Sequence, residues 1–204
     1  CGDGFYYSAY DAPSNHAFTS KNEVHKIYYH HLGTAQKEDR LFYQNPAYPL
    51  RFYAVTVNKE ETIMYLTESG EGSGNNLYVR DLRNKDSQFI QMTNDMSCQY
   101  SPQENIGDSI YIFTNWGAPK NRLMVTDIEH PGFNEWKTLV PESKDMLEDV
   151  TFVDGKMILN YMKDASNHAF VYDLDGKQLA EIKLPTVGSA AFYGKKDRKE
   201  VFYS

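Results

Sequence analysis

Four segments repeat one pattern along the chain: YYHHL at residues 28–32, YVRDL at 78–82, MVTDI at 124–128 and FVYDL at 170–174. Each segment begins with two aromatic or aliphatic residues and ends in Leu or Ile. The last residues of the segments are 50, 46 and 46 positions apart. A nearly constant period of about 20–50 residues is typical of a repeat architecture.

Further strand-like segments surround each of these four. An aromatic or β-branched segment begins before each one, at residues 4, 62, 109 and 156, and another follows it, at 40–44, 89–93, 136–140 and 179–183. The first strand of the next unit completes four strands per period. The 16 Tyr and 11 Phe residues suit half-buried strands. A four-stranded unit of this length is the size of a β-propeller blade, so the sequence predicts an all-β propeller fragment of about four blades.

The phase of the repeat predicts where the blades divide. The chain opens on a second strand and ends within another second strand at 200–204, which gives three complete blades and two partial ones. We expect one partial propeller domain over residues 1–204, with blade pieces at approximately 1–46, 47–95, 96–142, 143–186 and 187–204.

The cut blades leave unpaired strand edges, which invite pairing with another strand. The first-type strand at 189–194 could complete the first blade within one chain, closing a four-bladed ring. It could instead be exchanged between two chains, so a homodimer formed by strand or blade exchange is a possible assembly.

Composition excludes several classes of function. The net charge of −7 argues against a nucleic-acid groove, and no apolar run is long enough to predict a membrane span or a signal peptide. Cys1 and Cys98 are predicted to be free thiols. The compartment stays open between cytoplasm and periplasm, and no residue pattern implies a cofactor.

Four motifs carry a family resemblance. They are KIYYHHLGTAQKED at 26–39, FTNWGAPKNRL at 113–123, WKTLVPE at 136–142 followed by LE at 147–148, and LP at 184–185 with GS at 188–189. Their identity and order resemble the prolyl oligopeptidase (prolyl endopeptidase) family, in the central part of its N-terminal seven-bladed β-propeller domain.

The resemblance implies a serine endopeptidase that cleaves short peptides after proline. In this family an α/β-hydrolase domain supplies the Ser, Asp and His, and the propeller gates that site and filters substrates by size. The fragment's partners would be that missing hydrolase domain and short proline-containing peptides. Phe52 and Glu71 occupy positions that match the substrate-pocket rim, where Phe52 matches an apolar residue and Glu71 a loop position that is Cys in some relatives.

The residues themselves provide no catalytic or metal site. A hydrolase serine needs Gly-X-Ser-X-Gly, and Ser73 has Glu71 and Asn75 where glycines are required. We therefore expect the chain to be inactive alone. Packing or solvation accounts for the six histidines and for the carboxylate pairs at 60–61 and 148–149. The glycines at 70–74 predict a flexible hairpin tip, and the polar segment 11–23 a mobile loop.

Two alternatives remain at this point. A stand-alone propeller could act as an interaction scaffold, since propellers serve many functions. The absence of a Gly-X-Ser-X-Gly segment from the encoding gene would favour that alternative. The chain could also be the propeller of a related dipeptidyl or acylaminoacyl peptidase, but the HHLGT stretch at 30–34 argues against this.

Overall fold

The computed structural model describes residues 2–11 and 22–204. Regular structure in these ranges is almost entirely β-strand, with two short 3-10 turns at Gln36–Glu38 and Phe133–Glu135. No helix in the described ranges is long and apolar enough to cross a membrane. The chain divides into two compact units, Cys1–Cys98 and Gln99–Ser204.

The first unit contains two antiparallel sheets whose strands pair in chain order. The three strands of the first sheet are β1 (Gly4–Ala9), β2 (Lys26–His31) and β3 (Arg40–Gln44). The four strands of the second sheet are β4 (Phe52–Val57), β5 (Ile63–Ser69), β6 (Asn75–Asp81) and β7 (Ile90–Gln91). The two sheets share one core, in which Ile27 of β2 is buried with Tyr53 and Leu66 of the second sheet.

The second unit contains three antiparallel sheets, again with strands in chain order. The third sheet consists of β8 (Tyr100–Ile106), β9 (Ser109–Thr114), β10 (Arg122–Asp127) and β11 (Lys137–Val140). The fourth consists of β12 (Met146–Val153), β13 (Lys156–Lys163), β14 (Ser166–Asp173) and β15 (Gln178–Ile182). The fifth consists of β16 (Phe192–Tyr193) and β17 (Phe202–Tyr203).

Buried side chains fill the space between neighbouring sheets of this unit. Leu123 of the third sheet and Leu159 of the fourth belong to one cluster, while Ile158 and Phe192 belong to a second cluster between the fourth and fifth sheets. Alternate residues of β13 thus serve different cores, because successive side chains on a strand point to opposite faces.

The prediction of an all-β propeller fragment with three complete and two partial blades is confirmed by sheets of three, four, four, four and two strands. The exact blade boundaries stay a prediction. Strand β16 pairs with β17 in the fifth sheet. Cys98 is a free thiol, whereas Cys1 and most of the loop predicted at 11–23 lie outside the described residues.

Candidate functional site

The two residues predicted at the pocket rim lie at the same end of the second sheet. Phe52 is the first residue of β4 and pairs with Ser69, the last residue of β5. Glu71 follows in the β5–β6 hairpin, residues 70–74. Phe52 is 53% exposed and the Glu71 side chain 55% exposed. Strand pairing therefore brings an accessible aromatic ring and an accessible carboxylate to the same end of the second sheet.

A buried histidine fixes the start of β4. The Nδ1 atom of His25 accepts a hydrogen bond from the Tyr53 backbone N–H at 3.0 Å, and the Phe52 ring packs against the imidazole with centroids 5.8 Å apart. Burial lowers the pKa of His25, which favours the neutral imidazole that an accepting Nδ1 requires. Packing on His25 occupies only part of the Phe52 ring, and the rest faces solvent.

Arg51, which precedes β4, connects this end of the sheet to the β5–β6 hairpin. Its Nε and Nη2 atoms donate to the two carboxylate oxygens of Glu71 at 2.9 and 2.7 Å, and Nη1 donates to Glu68 at 3.0 Å. The guanidinium also stacks on the Tyr48 ring, with Cζ 3.5 Å from the centroid. Hydrogen bonds from Arg51 are the main cause that lowers the pKa of Glu71. Glu71 is thus held as an anion in one place despite its exposure.

Glu68 anchors Arg51 from inside the sheet. The Glu68 side chain is 1% exposed and accepts further hydrogen bonds from the Tyr53 hydroxyl at 3.1 Å, the Asn76 amide at 3.0 Å and the Tyr78 hydroxyl at 2.8 Å. Burial by itself would raise the pKa of Glu68, but the hydrogen bonds from Asn76, Tyr78 and Arg51 outweigh it and lower the pKa. The carboxylate therefore stays ionised where it is buried.

The hairpin at 70–74, which the glycines predict to be a flexible tip, is hydrogen-bonded to the segment 96–98. The Gly74 N–H donates to the Met96 carbonyl at 2.8 Å, and the Ser73 hydroxyl donates to the Ser97 carbonyl at 3.1 Å. A side chain at position 74 would collide with the Cys98 carbonyl. The glycines thus allow the hairpin to lie against the segment 96–98, rather than leaving it loose.

Other candidate residues have structural partners. Ser73 is hydrogen-bonded as described, and Glu148 accepts a hydrogen bond from the Asn167 amide at 2.8 Å. His30 Nδ1 lies 2.7 Å from Oδ1 of Asp39. The other oxygen of this carboxylate, Oδ2, accepts a hydrogen bond from the Tyr7 hydroxyl at 2.6 Å. Across residues 2–11 and 22–204 no group of three or more His, Cys, Asp or Glu side chains is arranged to hold a metal ion.

The sequence patterns did not identify Arg51 and Glu68 as residues of this site. A signal for Glu68 was present, because residues 64, 66 and 68 alternate along one face of β5 and the first two are buried apolar residues. A carboxylate buried in that series requires hydrogen-bond donors that are also buried. The arrangement holds an exposed aromatic ring and an exposed carboxylate side by side at this end of the sheet.

Comparison with known proteins gives a consistent result. A family model described as "Prolyl oligopeptidase, N-terminal beta-propeller domain" matches residues 1–204. The prolyl endopeptidase of Elizabethkingia meningoseptica is 34% identical over 204 residues, which cover 99% of this chain and 29% of the relative. Prolyl oligopeptidase A of Galerina marginata is 28% identical over 211 residues, covering 98% of this chain and 28% of the relative.

The fold of this chain resembles those of solved structures. One, from a structural and mechanistic analysis of two prolyl endopeptidases, superposes with a TM-score of 0.85 at 26% identity, covering 98% of this chain and 29% of that one. Apo prolyl oligopeptidase B from Galerina marginata also gives a TM-score of 0.85, at 24% identity, with 98% of this chain and 28% of that one covered.

Proposed function

The chain belongs to the prolyl oligopeptidase family, as part of its N-terminal β-propeller domain, and from this membership we propose that it screens access to a serine peptidase active site. The family predicted from the motifs at 26–39 and 113–123 is confirmed. The chain spans 29% of the length of the Elizabethkingia relative. Cleavage of short peptides after proline is therefore proposed for the longer protein, with this segment as its gate and size filter.

We propose that Phe52 and Glu71 form part of the substrate-pocket rim. The observation that carries this proposal is the fixed position of an exposed apolar ring beside an exposed carboxylate. Ligand pockets combine apolar walls with a few placed polar groups. Phe52 would contact an apolar part of the peptide, and Glu71 would favour a neutral or cationic group beside it.

The proposed partners are an α/β-hydrolase domain and short proline-containing peptides. The hydrolase domain would supply nucleophile, base and orienting acid, since the nearest serine candidate, Ser73, is hydrogen-bonded to the Ser97 carbonyl. We expect the purified 204-residue chain to leave a proline-directed chromogenic peptide intact. Hydrolysis that survives active-site serine inhibitors would contradict the proposal.

A chimaera tests the rim directly. Residues 1–204 would replace the matching segment of the Elizabethkingia prolyl endopeptidase. Short-peptide kinetics would then be compared between the Phe52→Ala and Ile90→Ala variants of this chimaera. Ile90 is 50% exposed on the outermost strand of the same sheet, so it controls for loss of an exposed apolar side chain. We expect Phe52→Ala to raise KM about tenfold with little change in kcat, as loss of uniform binding predicts. Equal KM values for the two variants would refute a rim role.

Assembly by strand exchange remains a proposal. Strand β1 lies at the edge of its three-stranded sheet, and an exposed edge favours pairing with another strand. Size-exclusion chromatography with light scattering would show a dimer. A strictly monomeric chain at all concentrations would rule out exchange between chains.

A further inference from the structure

Arg122, the first residue of β10, carries buried hydrogen-bond donors for which the described residues offer no acceptor. Its Nε and Nη2 atoms are buried and have no partner within the described part of the chain. The guanidinium Cζ lies over the Trp116 indole, 4.7 Å from the ring centroid. A ring attracts the cation through its face, but the N–H donors point outward in the guanidinium plane. The Nε–Nη2 edge is therefore unsatisfied, which is unfavourable for a buried charged group.

Arg51 shows what such an edge binds in this protein. It too stacks its guanidinium on an aromatic ring, that of Tyr48. Its Nε and Nη2 donate to the two oxygens of the Glu71 carboxylate. The two parallel N–H bonds of this edge match a planar carboxylate. Arg122 likewise places its guanidinium over an aromatic ring, but no carboxylate of the described residues accepts from its Nε and Nη2.

Hydrogen bonds hold the hairpin that carries Arg122 in place. The β9–β10 hairpin is fixed to the neighbouring sheet by the Asn121 amide, which donates to the Leu147 carbonyl at 2.8 Å, and by the Leu147 N–H, which donates to the Lys120 carbonyl at 3.0 Å. The Glu142 carboxylate accepts from the Lys120 backbone N–H at 2.6 Å. This carboxylate therefore also supports the hairpin.

We propose that Arg122, together with Trp116, forms a binding site for a carboxylate supplied by a ligand. The chemistry suits either the C-terminal carboxylate of a peptide or an Asp or Glu side chain. Because the Nε and Nη2 atoms are buried, a ligand reaches them only when a neighbouring side chain moves. Trp116, which is 36% exposed and lies over the guanidinium, is the side chain that we expect to move. The site lies within Gln99–Ser204 and does not depend on the proposed pocket rim or on peptidase activity.

NMR titration of the 204-residue chain tests the site. The probes are acetate, an N-acetylated dipeptide with a free C-terminus, its C-terminal amide, and an amidated dipeptide that contains Glu. The signals are the Arg122 Nε–H and the Trp116 indole N–H. The indole N–H of Trp136 donates to the Pro131 carbonyl at 2.9 Å and serves as an internal reference.

We expect acetate and the free-acid dipeptide to shift the Arg122 and Trp116 signals saturably, while the neutral amide leaves both unchanged. Arg122→Met should weaken binding by about tenfold or more. The matched control is Arg83→Gln, which removes an arginine that pairs with Asp81, and it should leave the titration unaltered. Binding of the Glu-containing amide as well would show that the site accepts a carboxylate from either source, whereas binding of the free acid alone would assign it to peptide C-termini.

Three results would overturn the proposal. They are equal shifts with acid and amide, unchanged affinity in Arg122→Met, and an equal loss in Arg83→Gln. The comparison of acid with amide on the unmodified chain decides the matter even if Arg122→Met fails to fold.

Discussion

Replacing Arg51 by methionine should destabilise the first unit strongly, because it leaves a buried anion without its cation. Glu68 is 1% exposed and receives Arg51 Nη1 at 3.0 Å. Tyr53, Asn76 and Tyr78 would remain as neutral donors. Removing one partner of a buried ion pair costs about 3–5 kcal/mol, and since three donors remain we expect the lower end, about 3 kcal/mol.

Urea denaturation followed by circular dichroism measures this change. With a slope of about 1–3 kcal/mol per molar urea, the midpoint should fall by about 1–3 M. Hydrogen exchange at β5 would assign the loss to the first unit. The matched control is Glu71→Gln, which breaks the exposed half of the same arginine's contacts and should cost less than about 1 kcal/mol.

A double variant separates charge from packing. In Arg51→Met with Glu68→Gln the buried charge is gone, so part of the lost stability should return. The reasoning is refuted if Glu71→Gln costs as much as Arg51→Met, or if adding Glu68→Gln to Arg51→Met lowers stability further.

Three other predictions concern the same region. Because burial lowers the pKa of His25, its contribution to stability is complete above about pH 6.5 and is lost as the pH falls through the lowered value; thermal denaturation from pH 7 to 5 should show a slope that His25→Asn removes. The pKa values of Glu68 and Glu71 are also lowered, so their contribution is complete above about pH 4.5 and is lost on further acidification; when thermal denaturation is extended below about pH 4.5, Glu68→Gln should flatten the slope seen there. Gly74→Ala should cost about 1–3 kcal/mol in urea denaturation, because its methyl group meets the Cys98 carbonyl, whereas Ser73→Ala should cost at most about 1 kcal/mol.

The repeat made most of the fold predictable. Second strands predicted to begin at 4, 62, 109 and 156 begin at Gly4, Ile63, Ser109 and Lys156. Such strands are recognisable because their aromatic and β-branched residues are bounded by turn residues. The outer strands predicted at 40–44, 136–140 and 179–183 are also found, at Arg40–Gln44, Lys137–Val140 and Gln178–Ile182. The exception is the strand predicted at 89–93, which is only Ile90–Gln91. Both of its residues are exposed, so packing does little to hold a longer strand there.

The polar part of the site depends on contacts that no local pattern encodes. Arg51 lies 17 residues from Glu68 and 20 from Glu71, and only the register of β4 against β5 brings them together. The rim positions were reached through family resemblance instead. The hairpin beside them looked flexible because glycine composition alone does not reveal that the segment 96–98 lies against it.

Burial falls steeply across a single blade. In the fourth sheet, β13 buries residues 157–161 without interruption, whereas β15 exposes its first four residues. Sequence drift among homologues should therefore concentrate on the outermost strands, while the second strands change slowly. For protein engineering, the exposed residues 83–86 of the connection before β7 are the natural place to insert an epitope tag or a fluorophore attachment site, since they lie outside the apolar core of this unit and away from Phe52 and Glu71.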